Sequence, residues 1–167
     1  MEVLPGSVAE SLLDESDKRQ IDELGRLSGI AQALTGPITT VQKLVASAST
    51  PGHEHHLLLY RDGQDKILGF AKYSSKDLYV YRKNGTMVQV SPLCLLDFYV
   101  SEDVQRQGIG LQLFNRMLHE CNTPPHKIAY DRPSPKLLAF MKKHFGLAQP
   151  DLQPNRYCLF KGFLEDA

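Results

Sequence analysis

The sequence predicts a mixed α/β fold, a central and mostly antiparallel sheet flanked by helices. Two helical patterns open the chain, two glycine-turned hairpins follow, and the last third alternates strand, helix, strand, helix, strand.

Each element has its own signal. Residues 1–14 carry little pattern and are expected to be poorly ordered or a short edge segment, with residues 15–164 forming the globular domain and 165–167 a tail. From Glu15 an apolar stripe of Ile21, Leu24, Leu27, Ile30, Ala31 and Leu34 recurs at helical spacing and stops near Thr35-Gly36-Pro37. Val41, Leu44 and Val45 predict a short helix over 39–48, followed by a loop to His53. Strands His56 to Arg61 and Ile67 to Tyr73 flank Asp62-Gly63, and strands Leu78 to Tyr81 and Met87 to Val90 flank Asn84-Gly85, the strongest short hairpin signal in the chain. Pro92 interrupts, and Leu93 to Val100 makes a long central strand. A helix from Gly108 to Cys121, a strand over 127–130, a helix over 134–145 and a strand over 157–160 complete the order.

Composition narrows the function classes. The 167 residues make about one domain, so one globular unit is expected. Lys and Arg number 19, and so do Asp and Glu, so no overall field draws the chain to nucleic acid or an acidic membrane. Cys94, Cys121 and Cys158 are odd in number and lack metal-ligand spacing, which fits free thiols in a reducing compartment. No apolar run approaches the roughly 18 residues of a bilayer span, and the start lacks a signal-peptide pattern, so a cytosolic or nuclear location is expected. His53, Glu54, His55 and His56 follow Pro51-Gly52 and lead into Leu57-Leu58-Leu59-Tyr60, a solvated loop entering a strand rather than a metal cluster.

The stretch from Asp97 to Gly110 is the most informative. An apolar strand ends in a glycine-punctuated loop that opens into a helix whose Leu113, Phe114, Met117, Leu118 and Cys121 share one face. Anions bind where outward backbone N–H groups cluster at a helix start, and Gly108 and Gly110 remove side chains from the approach. The Gln-x-x-Gly-x-Gly pattern of Gln105, Gly108 and Gly110 resembles the acetyl-CoA signature of the GNAT acyltransferases, and the element order matches their fold. A Walker loop would end in Gly-Lys-Ser/Thr, which is absent.

Acyl transfer from a thioester to an amine needs a held thioester, a polarised carbonyl and a neutral amine. A lysine near its ordinary pKa of about 10.4 gives up its proton at neutral pH at a cost of roughly 4 to 5 kcal/mol, so a general base is expected. Asp131 lies where a strand hands over to a helix, on the rim where ligands gather, or else pairs with Arg132 or caps the next helix. Asp97 interrupts the run Leu93 to Tyr99, as an ion-pair member or a poised base. Cys94, three residues away, points to the opposite face of a straight strand. By residue type alone it is a small core hydrophobe. Pro135 suits a first helical position and Ser134 its cap, so Lys136 projects from a helix start favourable to phosphate.

Ile21-Asp22-Glu23-Leu24-Gly25, Ala31-Gln32, Pro37-Ile38-Thr39, Pro92-Leu93-Cys94, Val104 to Gly110 and Asp131-Arg132-Pro133-Ser134-Pro135-Lys136 together resemble the catalytic domain of the alpha-tubulin N-acetyltransferases, over about Ile21 to Phe163. The resemblance implies acetylation of a lysine in a luminal loop of alpha-tubulin, with acetyl-CoA as co-substrate and no metal. Asp131 and Cys94 take the catalytic pair, as general bases or as a base and its partner in proton transfer, and Gln32 takes a position important for catalysis on the substrate side. Gln105, Arg106, Gln107, Gly108, Ile109, Gly110 and Leu111 hold the CoA pyrophosphate. The strand end Phe98, Tyr99 and Val100 lies beside the cofactor, and Ser134 and Lys136 approach it from the other side. The implied partner is alpha-tubulin in microtubules, met by a monomer without nucleic acid or membrane, in the cytoplasm on the cytoskeleton, cilia or flagella included.

Departures from the family pattern are the opening Met1 to Asp14, which supplies no clear first strand, Gln107 and Ile109 in place of histidines, and Leu34-Thr35-Gly36-Pro37. Other readings are an acetyltransferase for another amine, and a CoA- or microtubule-binding module without turnover. A covalent acetyl-cysteine route through Cys94 stands beside direct attack. Because the chain is neutral and tubulin acidic, docking is expected at a local patch such as Lys127, Arg132, Lys142, Lys143 and His144.

Overall fold

A computed structural model describes residues 1–164, so the tail expected at 165–167 lies outside the described residues. The elements run β1 (Glu2–Pro5), α1 (Gly6–Leu12), α2 (Glu15–Ala31), α3 (Val41–Ser47), β2 (His56–Arg61), β3 (Ile67–Ser75), β4 (Leu78–Tyr81), β5 (Met87–Val90), β6 (Leu93–Val100), α4 (Ile109–Cys121), β7 (Ala129–Asp131), α5 (Pro135–Phe145), β8 (Asp151–Leu152) and β9 (Tyr157–Leu159). The fold is mixed α/β, with a large, mostly antiparallel sheet flanked by helices. The chain divides into two compact units, Met1–Ser74 with Leu96–Met117, and Ser75–Leu95 with the residues from Leu118. The boundary falls inside β6 and α4, so no linker or composition shift marks it in the sequence.

In the first unit the strands lie in the order β1-β2-β3-β6, with β1 antiparallel to β2 and β2 to β3. Residues 1–14, expected to be poorly ordered or an edge segment without the family's first strand, carry both β1 and α1. β1 pairs Glu2 to Pro5 with Leu59 to His56. Its sequence shows no strand period because only Leu4 of its four residues is buried. Leu4, Ile21, Leu24, Leu44, Leu57, Leu59 and Phe70 form the core of this unit.

α2 begins at a capping box, where the Asp14 carboxylate accepts from Asp17 N at 2.8 Å. It ends at Ala31, earlier than the stripe to Leu34 predicts, and Ile30 is exposed. Ala33 sits at φ 57°, with Ala33 N donating to Ile30 O at 3.0 Å and Leu34 N to Gly29 O at 2.9 Å. That is a Schellman stop built on alanine, so the usual glycine flag is missing. Gly25 faces the returning chain so closely that a Cβ would lie 1.9 Å from Thr39 O.

In the second unit β6 is parallel to β7, β7 antiparallel to β9, and β9 antiparallel to β8. β4 and β5 form a separate two-stranded hairpin, and Gln153 clamps it by accepting from Tyr81 N at 2.8 Å and donating to Tyr81 O at 3.2 Å. The strand expected over 127–130 begins at Ala129, because Pro125–Lys127 is a 3-10 turn, and runs on to Asp131. β8, two exposed residues, gave no sequence pattern. Tyr130, fully buried, meets Phe160 edge-on at 5.4 Å in the interior of this unit.

Candidate active site

In the first unit, the end of β6 is continued by a 3-10 turn, Glu102–Val104, and then by the glycine loop. Ser101 N donates to Leu68 O at 2.8 Å, and Gln105 Nε2 to Val100 O at 2.8 Å. The Gln105 side chain therefore pins the loop to the strand end. Arg106 at φ 70° and Gly108 at φ 82° both lie in the left-handed region, the kind of backbone conformation from which anion-binding nests are built. Gly108 O accepts from Gln112 N at 3.1 Å, so Gly108 caps α4. The N–H groups of Ile109, Gly110 and Leu111 then lack intrahelical acceptors by helix geometry. A Cβ built on Gly108 would meet nothing within 4 Å, so the space in front of the loop is open.

Outward main-chain donors with open space before them are compatible with an anionic group such as a pyrophosphate. The strand-end residues differ from one another. Tyr99 and Val100 are buried at 7% and 8% exposure, so their side chains serve the core and only their backbone is left for a ligand. Phe98 is half-buried and edge-on to Phe114, with ring centroids 6.1 Å apart.

The same unit holds Gln32 and Asp97. Asp97 is 4% exposed and accepts hydrogen bonds from Ser28 Oγ at 2.8 Å, Gln32 Nε2 at 3.1 Å, Thr39 Oγ1 at 2.6 Å and Phe98 N at 3.0 Å. Four neutral donors satisfy it, so Asp97 is held by hydrogen bonds rather than by the ion pair that its position suggested. It is the hub of a buried network. Ser28 and Thr39 had no sequence signal of their own; Ser28 lies one helical turn before Gln32 and could have been found on that spacing.

In the second unit, strand register decides which side chains meet. Cys94 is paired with Ala129, and Asp131 with Tyr157. Residues two apart share a face, so Cys94, Asp131 and Tyr157 line one side of the sheet, while Leu95, Tyr130 and Cys158 take the other. Cys94 is fully buried, and burial pushes its thiol up to about 12, an effect that the nearby Asp131 charge reinforces and the Lys76 charge and a Tyr157 hydrogen bond oppose. Its Sγ points to Pro92 O at 3.7 Å. Tyr157 is pushed up as well, by burial first and the Asp131 charge second.

Asp131 is half-buried, with Arg132 Nε 3.6 Å from its Oδ1. Arg132, at φ 43°, donates its N–H to Arg156 O at 3.0 Å, which fixes the chain just after the carboxylate. Sequence reasoning missed Tyr157 and Lys76, because their nearness to Cys94 is a matter of long-range pairing.

Ser134 caps α5, its Oγ accepting from Leu137 N at 3.1 Å, and Pro135 takes the first helical position as expected. Lys136 is exposed in the first turn, and Lys142, Lys143 and His144 occupy the last. Lys127, one of the residues expected in a docking patch, donates to Phe163 O at 3.0 Å.

Comparison with known proteins adds identity to this geometry. A protein of Phytophthora infestans named alpha-tubulin N-acetyltransferase is 40% identical over 96% of this chain and 94% of its own length. One of Danio rerio named alpha-tubulin N-acetyltransferase 1 is 42% identical over 87% of this chain, which spans 48% of that relative. Among solved structures, the xEco2 acetyltransferase domain bound to a CoA conjugate superposes with a TM-score of 0.56 at 8% identity, covering 95% of this chain and 88% of that one, a likeness of fold. A model of the family described as GNAT acetyltransferase, Mec-17, matches residues 5–167. The chain belongs to that family, the Mec-17 GNAT acetyltransferases.

Proposed function

We propose that this protein transfers an acetyl group from acetyl-CoA to a lysine in a luminal loop of alpha-tubulin, acting on microtubules in the cytoplasm. The observation that carries the reading is the shared face of Cys94, Asp131 and Tyr157 on β6, β7 and β9. It joins a half-buried carboxylate to a thiol that burial keeps protonated. The relatives' names supply the substrate class.

The loop from Gln105 to Leu111 holds the pyrophosphate through main-chain N–H groups. Acetyl-CoA supplies an activated acyl carbon. Asp131 accepts a hydrogen bond from the substrate ammonium and takes one proton; the freed lone pair forms the C–N bond, the C–S bond breaks, and CoA leaves as a thiolate that takes up the nitrogen's second proton. Cys94 acts as a neutral donor and proton-transfer partner rather than as a nucleophile, since a thiolate is required for attack and burial opposes one. Gln32 contacts the substrate side.

The experiment is a time course of lysine acetylation on polymerised tubulin with acetyl-CoA. Multiple turnovers per enzyme are expected. Binding of acetyl-CoA without product would sink the reading in favour of a non-catalytic module.

A further inference from the structure

The hydrogen-bond directions around Asp97 dictate which end of the Gln32 amide a substrate meets. Asp97 is a carboxylate and only accepts. Ser28 has a single hydroxyl proton, and at 2.8 Å from Asp97 Oδ1 that proton is committed to the charge. Toward Gln32 the Ser28 oxygen can therefore only accept. Gln32 Nε2 lies 3.0 Å from Ser28 Oγ and 3.1 Å from Asp97 Oδ1, so both of its protons are spent on these two partners. A flipped amide would set Gln32 Oε1 against a carboxylate oxygen, acceptor against acceptor.

The carboxylate itself cannot turn to adapt. Thr39 Oγ1 holds Oδ2 at 2.6 Å, and Phe98 N holds Oδ1 at 3.0 Å. Ser28, Thr39 and Asp97 are 1%, 0% and 4% exposed, so little water competes, whereas Gln32 is half-buried. Lys72 Nζ on Ile38 O at 2.8 Å and Lys43 Nζ on Pro37 O at 2.6 Å steady the segment that carries Thr39.

We propose that Asp97, through Ser28 and Thr39, is a positioning residue that locks the Gln32 amide with its carbonyl oxygen toward the substrate. Gln32 then serves as a hydrogen-bond acceptor for a substrate N–H. This rests on the substrate-side role assigned to Gln32 above. The lock also sets a specificity: a substrate presenting only an acceptor at that point would leave two acceptors facing.

The test removes the acceptor that holds the amide and keeps it in a control. Asp97→Leu takes away the oxygen on Gln32 Nε2 and frees the amide to turn. Asp97→Asn is the control: its oxygen stays on Phe98 N, Ser28 and Gln32, and its NH2 turns to Thr39 Oγ1, a hydroxyl that can accept. Ser28→Ala is the milder change and removes one of the two acceptors on Gln32 Nε2. Expected are losses of about tenfold or more in kcat/KM for tubulin in Asp97→Leu and in Gln32→Met, a smaller loss in Ser28→Ala, and Asp97→Asn within about threefold of wild type, all with the acetyl-CoA Kd within about twofold of wild type. Because Asp97 acts through Gln32, Asp97→Leu combined with Gln32→Met is expected to lose little more than either alone, whereas a merely structural role would give additive losses. Additive losses, or wild-type kcat/KM in Asp97→Leu, overturn the proposal.

Hydrogen exchange of the Gln32 side-chain NH2, followed by NMR, reads the lock without any turnover. Two inequivalent, protected protons are expected in wild type, with protection kept in Asp97→Asn and lost in Asp97→Leu. Unprotected protons in wild type overturn the lock whatever the substrate is. Protected protons in a protein that does not acetylate tubulin would contradict only the assigned activity.

Discussion

Asp131 on β7 and Tyr157 on β9 are directly opposed residues of an antiparallel pair, and this register places both on the face that carries Cys94. Three groups far apart in the chain thereby act on one another: the Asp131 charge raises both the Tyr157 phenol and the Cys94 thiol. Removing that charge separates its roles. Asp131→Asn keeps the shape and is expected to lower kcat on tubulin about 100-fold or more, the scale of a general base, while acetyl-CoA binding holds. Steady-state kinetics with calorimetry on the same sample checks this, and a kcat within threefold of wild type would count against Asp131 as the base.

The buried thiols predict an alkaline limit to stability. Cys94 is pushed from 9.0 up to about 12 and Cys158 from 9.0 up to about 11, burial being the main cause of each. Folding thus favours the protonated thiols, so their contribution is complete below about pH 9 and is lost as pH climbs through the folded values. The unfolding temperature is expected to be flat from neutral pH to about 9 and to fall above it, less steeply in Cys94→Ala. An identical slope in wild type and variant would refute the Cys94 share.

Gly108 is at φ 82° with open space around it, so Gly108→Ala introduces backbone strain without a clash. A stability cost of about 1 kcal/mol is expected, with a several-fold rise in KM for acetyl-CoA as the nest distorts. Gly25 is the converse case. Its backbone has no positive φ, but Thr39 O lies 1.9 Å from where a Cβ would stand. Gly25→Ala is expected to cost about 1 to 3 kcal/mol by forcing α2 and the 36–40 segment apart. Denaturant midpoints measure both effects, and a Gly25→Ala protein as stable as wild type would contradict the close packing.

These two glycines mark where the sequence was legible and where it was not. The glycine loop could be read because its chemistry is local: a strand, a positive-φ glycine and a helix start lie within consecutive residues. The pairing of Asp131 with Tyr157 spans a helix and β8, and nothing short-range encodes it. Asp97 was conspicuous as a charge in an apolar run, yet its partners Ser28, Gln32 and Thr39 come from another part of the chain, so its role could not be read from β6 alone. The end of α2 was placed too late because alanine holds a conformation that glycine usually signals.

Lys142 and Lys143 are both exposed at the C-terminal end of α5, a cationic terminus on an otherwise neutral chain. Changing both to Glu is expected to raise KM for tubulin about fivefold or more, with a smaller effect at high salt and little change in acetyl-CoA affinity. Equal losses for both substrates would reassign these lysines to the cofactor.

The central claim is that Asp131 takes the proton and that Cys94 is never acetylated during the reaction. Intact-mass measurement of the enzyme, quenched at successive times during a single turnover with tubulin, tests it most directly. The account predicts enzyme of unmodified mass at every time point while acetyl-tubulin accumulates. A transient species heavier by one acetyl group, formed and consumed at the rate of turnover and abolished by Cys94→Ala, would contradict it.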